Sequence, residues 1–151
     1  MRLVVQASKN ASCEIDGQIT GAIDYGFVVF IGITNEDDET IADKMLNKLL
    51  KLRILPDENG KTNMSVVDKN GGLLLISQFT LYADMTHGNR PNFLKAGSPD
   101  HASRIYDYFV MKAKETGIPV GTGEFGADMH ITLTNEGPFT VIMDSDELIK
   151  K

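Results

Sequence analysis

Phe27-Val28-Val29-Phe30-Ile31-Gly32-Ile33 is an unbroken apolar run of strand length, the pattern of a β-strand covered on both faces. It is expected at the centre of a sheet. Directly after it, Asn35 offers a helix cap, Asp37, Asp38 and Glu39 suit the positive end of a helix dipole, and Ile41, Met45, Leu49 and Leu52 recur at helical spacing. The spacing predicts a first helix over 37–52. Toward the N-terminus, residues 3–6 and 13–23 are β-rich or alternating around Asp16-Gly17, a dipeptide that tolerates the positive φ angles of a tight turn, so an opening hairpin is expected. Toward the C-terminus, turn clusters at 56–61 and 69–72 precede Leu73-Leu74-Leu75-Ile76, a second buried strand that runs into Ser77-Gln78-Phe79-Thr80.

Residues 82–97 have no period and hold Gly88, Pro91 and Gly97, the marks of a long irregular loop, a type often functional in compact domains. Ser98 as cap and Pro99 at the first helical position open a second helix, with Ala102, Ile105, Phe109 and Ala113 facing the core and Gly117 and Pro119 ending it. Residues 129–134 and 139–143 read as two closing strands joined by a turn at Asn135-Glu136-Gly137-Pro138.

The 151 residues are 42% hydrophobic and 24% charged, as expected of one compact α/β domain with a sizeable core. A formal charge of -6 argues against nucleic-acid binding driven by a general positive field, so any such contact must be local. The single cysteine, Cys13, reads as a shielded structural thiol in a reducing, cytoplasmic setting. The apolar run of Leu3-Val4-Val5 is too short for a signal-peptide core, and no stretch approaches the roughly 20 residues of a membrane-spanning helix, so neither export nor a membrane partner is expected.

His87, His101 and His130 show no metal-ligand spacing, and one cysteine cannot build a structural zinc site, so no metal is expected. A GxSxG elbow, a GxxxxGK[ST] loop and a GxGxxG element are all missing; Gly121-Thr122-Gly123-Glu124-Phe125-Gly126 has the wrong spacing. The residues alone therefore support only an α/β domain of open function.

Ser77-Gln78-Phe79-Thr80-Leu81 together with Asn135-Glu136-Gly137-Pro138-Phe139-Thr140 closely resembles the two signature motifs of the D-aminoacyl-tRNA deacylases. Leu52-Arg53-Ile54 with Gly60-Lys61-Thr62-Asn63, Gly88-Asn89-Arg90-Pro91-Asn92-Phe93, and Phe125-Gly126-Ala127-Asp128-Met129 look like further segments of that family, in order and at its spacing. The resemblance implies a single deacylase domain over 1–151, with three β/β/α layers, mostly antiparallel strands and two main helices. It also implies a homodimer that uses no cofactor and hydrolyses the ester between a D-amino acid and the 3′-terminal adenosine of tRNA, with no DNA partner.

By the same resemblance, the backbone N–H groups of Phe79 and Thr80 face the ester carbonyl as catalytic donors, and Ser77, Gln78, Ala102 and Met129 line the substrate pocket. Gly137-Pro138 would be a cis pair reaching into the other subunit's active site. Such a rigid wedge leaves room for hydrogen on one side of the substrate Cα but not for a side chain, so L-residues are repelled, D-residues of many kinds are tolerated, and glycine is an expected substrate. A nucleophilic Thr80 would need an adjacent base that the local sequence does not offer; the resemblance has the ribose 2′-OH assist the attacking water instead. Met129 also reads as a core methionine, and Ala102 as a small core residue of the second helix. Lys44, Lys48, Lys51 and Arg53 form a basic cluster, read either as a solvated face paired with Glu39 or Asp43 or as a contact for the tRNA backbone.

The chain departs from the family pattern at Ala7, where an arginine is common, and at His87, where a lysine-like residue stands; Arg90 is a candidate to compensate. Three rival readings stand beside the deacylase one: an esterase for small D-amino-acid derivatives, a non-catalytic dimeric nucleic-acid-binding module, and the editing domain attached to some synthetases. The absence of a synthetase region speaks against the third, and the negative charge without an extended basic stripe against the second.

Overall fold

The computed structural model describes residues 1–149. Strands β1 (Arg2–Ile15) and β2 (Gln18–Gly32) form the opening antiparallel hairpin, closed by Asp16 and Gly17 at φ 49° and 78°, the positive angles that a two-residue turn of matching twist requires. Helix α1 (Glu39–Lys51) follows, then a small ladder of β3 (Leu55–Pro56) and β4 (Thr62–Met64). Next come β5 (Gly72–Ser77), a 3-10 turn at Phe79–Tyr82, α2 (Pro99–Glu115), β6 (Val120–Thr122), β7 (His130–Asp144) and a last short helix, α3 (Ser145–Leu148). The main sheet has the order β6-β5-β2-β1-β7, which puts β2 at its centre as its apolar run requires. The long ladders of β1 with β2 and with β7 are antiparallel, whereas β5 runs parallel to β2 and to β6.

The continuous apolar runs are explained by burial on both faces. Phe27, Val29 and Ile31 of β2, with Leu73 and Leu75 of β5, meet Met45 and Leu49 of α1 and Ile105 and Phe109 of α2. Val28, Leu74 and Ile76 point the other way, into a second cluster with Ala11, Cys13 and Ile23. That cluster exists because β1 and β2 are long enough for their turn ends to fold across the sheet. Gly21 lies so close to β6 that a Cβ there would sit 2.5 Å from the Thr122 nitrogen, and Thr20 Oγ1 donates to the Thr122 carbonyl at 3.1 Å. The result is the expected β/β/α stack, with Cys13 buried between the two β layers.

Three local expectations are corrected. The first helix begins at Glu39 rather than 37, and its cap is Asp38, whose Oδ1 accepts from the Ile41 N–H at 2.8 Å. Asn35 instead accepts from the Ser98 N–H at 2.8 Å, tying the entry of α1 to that of α2, and Asp37 is fully buried. Ser98 does occupy the N-cap of α2 with Pro99 behind it, but its side chain makes no capping bond. Residues 129–134 and 139–143 are not two strands around a turn: β7 is one strand with a bulge. Gln6 pairs with Thr140 and Ser8 with Asn135, so two steps along β1 correspond to five along β7, and the excess chain at 136–139 is pushed out of the ladder.

Candidate active site

The carboxyl ends of β2 and β5 lie side by side, Ile31 opposite Ser77, at the kind of sheet end where open α/β folds place their ligands. A cavity of about 270 Å3 opens there. Ile31, Ile33 and Ile76 form its apolar wall; Ser77, Gln78 and Phe79 cross its mouth; Ala102 and the 125–129 segment close it. The Gln78 N–H donates to the Ile31 carbonyl at 2.8 Å at the end of the β2–β5 ladder, and the 3-10 turn begins directly after it. Phe79 and Thr80 head that turn, where helical bonding supplies no acceptor for their N–H groups. These donors therefore stay available at the edge of the cavity.

Phe79 is 55% exposed although large and apolar, held edge-on against Phe93 with ring centroids 4.9 Å apart. Phe93 belongs to the irregular segment, which is thereby tied to the cavity mouth. Ala102 and Met129 both lie where the core meets the cavity wall. Ala102 is 6% exposed in the main core and still lines the cavity. Met129 packs on the second apolar cluster while its side chain forms part of the cavity wall, its sulfur lying over Gly123, where a Cβ would collide with it. The Tyr106 hydroxyl donates to the Leu75 carbonyl at 2.7 Å, and burial pushes this phenol far above its ordinary pKa. The bond ties α2 to β5 behind the cavity.

Thr80 does not line the cavity; its hydroxyl is exposed and accepts from the Gln78 amide. Among the described residues lining the cavity, Asp128 is the one ionisable side chain. Sequence reasoning did not single it out, although it lies inside the quoted 125–129 segment. No group of three or more His, Cys, Asp or Glu among the described residues is placed to hold a metal ion, and no described helix is long and apolar enough to cross a membrane.

Gly137 and Pro138 do not line this cavity either. They are exposed on the β7 bulge, joined by a cis peptide bond, with Gly137 at φ 133°, a region that favours glycine. Side chains brace the bulge where the ladder is broken. Asn135 Oδ1 accepts from the Phe139 N–H at 2.8 Å, Asn135 Nδ2 donates to Thr140 Oγ1 at 2.9 Å, and Gln6 Nε2 donates to the same oxygen at 3.2 Å. Lys9 and Glu136 add an exposed ion pair at 3.7 Å. Ala7, the departure from the family pattern, is buried opposite the bulge and lines a depression of about 640 Å3 with Tyr25, Glu136 and Gly137. His87 and Arg90 lie in the exposed irregular segment and line neither this depression nor the cavity.

The chain matches the sequence model of the family described as D-Tyr-tRNA(Tyr) deacylase over residues 4–144. It is 50% identical over 147 residues to a D-aminoacyl-tRNA deacylase of Bacillus pumilus, which spans 97% of this chain and 100% of the relative. To one from Thermus aquaticus it is 49% identical over 147 residues, 97% of each chain. A solved structure named c-Myc DNA Unwinding Element Binding Protein superposes with a TM-score of 0.89 at 36% identity, covering 96% of this chain and 99% of that one.

Proposed function

The chain belongs to the D-Tyr-tRNA(Tyr) deacylase family, and from that premise we propose that it is a single-domain hydrolase, acting as a homodimer in the cytoplasm, that cleaves D-aminoacyl esters from the 3′-terminal adenosine of tRNA. The observation that carries the mechanism is the cavity itself: two N–H donors head a turn at its mouth, and among the described residues its wall offers no histidine, lysine or cysteine and a single carboxylate, Asp128. Such a site favours stabilising a charge over supplying a base. The ester carbonyl oxygen takes the N–H groups of Phe79 and Thr80 as a water, assisted by the neighbouring 2′-OH of the substrate, adds to the carbonyl carbon; the C–O bond to the ribose then breaks and the 3′ oxygen leaves with the proton given up by that water. Each preorganised donor of this kind contributes about 10²–10³ in rate, enough to matter for an activated ester. Ser77, Gln78, Ala102 and Met129 shape the pocket around the aminoacyl-adenosine.

Chirality is assigned to Gly137 and Pro138. Their exposure on an edge-strand bulge, outside the cavity of their own chain, is what a motif serving a second subunit requires. A backbone wedge beside the substrate Cα would exclude L side chains by repulsion and accept D-residues and glycine. The test is the hydrolysis of D-tyrosyl-, L-tyrosyl- and glycyl-tRNA by the purified protein, with Pro138→Ala alongside. Fast D cleavage, negligible L cleavage and measurable glycyl cleavage are expected, with the D/L ratio falling in the variant. Intact glycyl-tRNA at high enzyme concentration would sink the wedge.

The solved structure at 36% identity supports a second reading, since its name describes binding to a DNA element. Salt-sensitive binding of DNA or uncharged tRNA by a folded dimer with no turnover of D-tyrosyl-tRNA would favour that reading.

A further inference from the structure

Lys44, Lys48 and Lys51 stand at spacings of four and three residues, one exposed face of α1, and Arg53 follows just beyond its end. In an isolated helix such a row is neutralised by carboxylates three or four residues away, whereas Glu39 and Asp43, the acidic residues of α1, stand five residues before Lys44 and Lys48. The fold commits both elsewhere. Glu39 Oε1 accepts from Arg104 Nη1 at 3.2 Å, and the two carboxylate oxygens of Asp43 accept from the Tyr108 hydroxyl at 2.9 and 3.1 Å, both donors lying on α2. Of the two sequence readings, pairing of this row with Glu39 or Asp43 is therefore the one that fails. Among the described residues no carboxylate lies within ion-pair distance of Lys44, Lys48, Lys51 or Arg53. Arg53 is fixed in place by Nε donating to the Asn63 carbonyl at 2.8 Å and by a second bond to the Asn63 side chain.

All four cations border one groove of about 650 Å3, with Val141, Ile142 and Met143 of β7 along its other side. In a chain with 21 acidic and 15 basic residues, three lysines without an ion-pair partner and Arg53, which has Asp68 within Coulombic reach, concentrate positive charge around one groove. The lysines rise along the helix by about 6 and 4.5 Å, from 1.5 Å per residue, so they present a row of point charges rather than a single anion pocket. The groove also adjoins the strand that carries the bulge, beginning three residues after Pro138.

We propose that this groove binds the phosphate backbone of the tRNA whose 3′ end is being deacylated, so that one subunit supplies both the Gly137-Pro138 bulge and the cationic grip. The inference rests on the deacylase reading for its choice of polyanion. It predicts that the interaction is carried by counterion release, each phosphate contact adding about 0.7–0.9 to the slope of log affinity against log salt.

The test compares the full-length wild type with the Lys44→Gln, Lys48→Gln, Lys51→Gln triple variant on D-tyrosyl-tRNA and on D-tyrosyl-adenosine, which has no phosphates, over a salt series. Glutamine keeps helix propensity close to that of lysine, so the fold should survive. Expected are a KM for the tRNA raised about tenfold near 0.1 M salt, kcat unchanged, and a salt slope shallower by about 2–3, with cleavage of the adenosine ester unaltered. Unchanged KM and slope would overturn the proposal. So would an equal loss on both esters, which would mark damage to the cavity, or a shift from dimer to monomer in sedimentation, which would make the groove an interface between copies. If the wild type cleaves neither ester, the deacylase reading falls on its own, and the same salt comparison of uncharged-tRNA binding still decides the groove.

Discussion

The turn at Ser77-Gln78-Phe79 and the bulge at Gly137-Pro138 both interrupt strands, yet they are held by different means. The first leaves a central parallel strand whose neighbours bury it on both faces, and a backbone bond, Gln78 N–H to Ile31 O, ties its start to β2. The second leaves an edge strand, is exposed, and depends on the side chains of Asn135, Thr140 and Gln6 to replace the missing ladder bonds. Backbone position at the cavity is thus bought with core packing, whereas at the bulge it rests on a few local hydrogen bonds. The two should fail differently when disturbed.

The largest expected effect lies on the cavity side. Leu75 is 0% exposed between the sheet and the helices, and its carbonyl anchors Tyr106. Leu75→Ala should destabilise the protein by about 2–5 kcal/mol through lost burial and an unfilled cavity, measured as a lower urea midpoint. Activity per folded molecule should fall less than stability does. An unchanged midpoint would remove the claim that core packing fixes this end of the sheet.

At the bulge the order should reverse. Asn135→Ala removes both bonds that span residues 136–139 and should cost only about 1–2 kcal/mol of stability, since net hydrogen-bond contributions are small. The ratio of D- to L-tyrosyl-tRNA cleavage should nevertheless fall severalfold or more. Equal losses in the two substrates with the ratio preserved would show that the bulge holds its shape without Asn135.

This contrast also explains what was legible in the sequence. The central strand and α2 were readable because each depends on hydrophobic periodicity and local caps, whereas the β/β/α stack was expected from the family resemblance, since periodicity alone does not fix topology. Asp38 rather than Asn35 caps α1 because the helix begins at Glu39, four residues past Asn35, whose side chain instead accepts from Ser98, a partner 63 residues away that no local pattern reveals. The bulge read as a turn because Gly-Pro signals the same local break in either setting, and only pairing with β1 shows that the strand continues past it. The unneutralised lysines of α1 were ambiguous for a similar reason: the carboxylates expected to pair with them are recruited by Arg104 and Tyr108 from another helix. The cavity residues 77–79 and 129 were found through motif resemblance, while Asp128 beside them gave no separate signal.

The smallest expected effects are the most informative about the chemistry. If the cavity works through backbone donors, the Thr80 hydroxyl beside it and the Asp128 carboxylate in its wall should both be dispensable. Thr80→Ala removes only a hydroxyl bonded to Gln78 and leaves the N–H in place, so kcat should stay within a few-fold of wild type. Asp128→Asn removes the single ionisable group among the described cavity-lining residues, and kcat should again change little, with an unaltered pH profile. A general base in the reaction would contribute about 10²–10⁴ in rate, so a loss of that size in Asp128→Asn would transfer the proton-accepting role from the substrate's ribose to the protein. Complete loss in a folded Thr80→Ala would instead restore the hydroxyl as nucleophile. Small effects in both leave the N–H groups of Phe79 and Thr80, which no side-chain substitution deletes, as the catalytic groups of the protein.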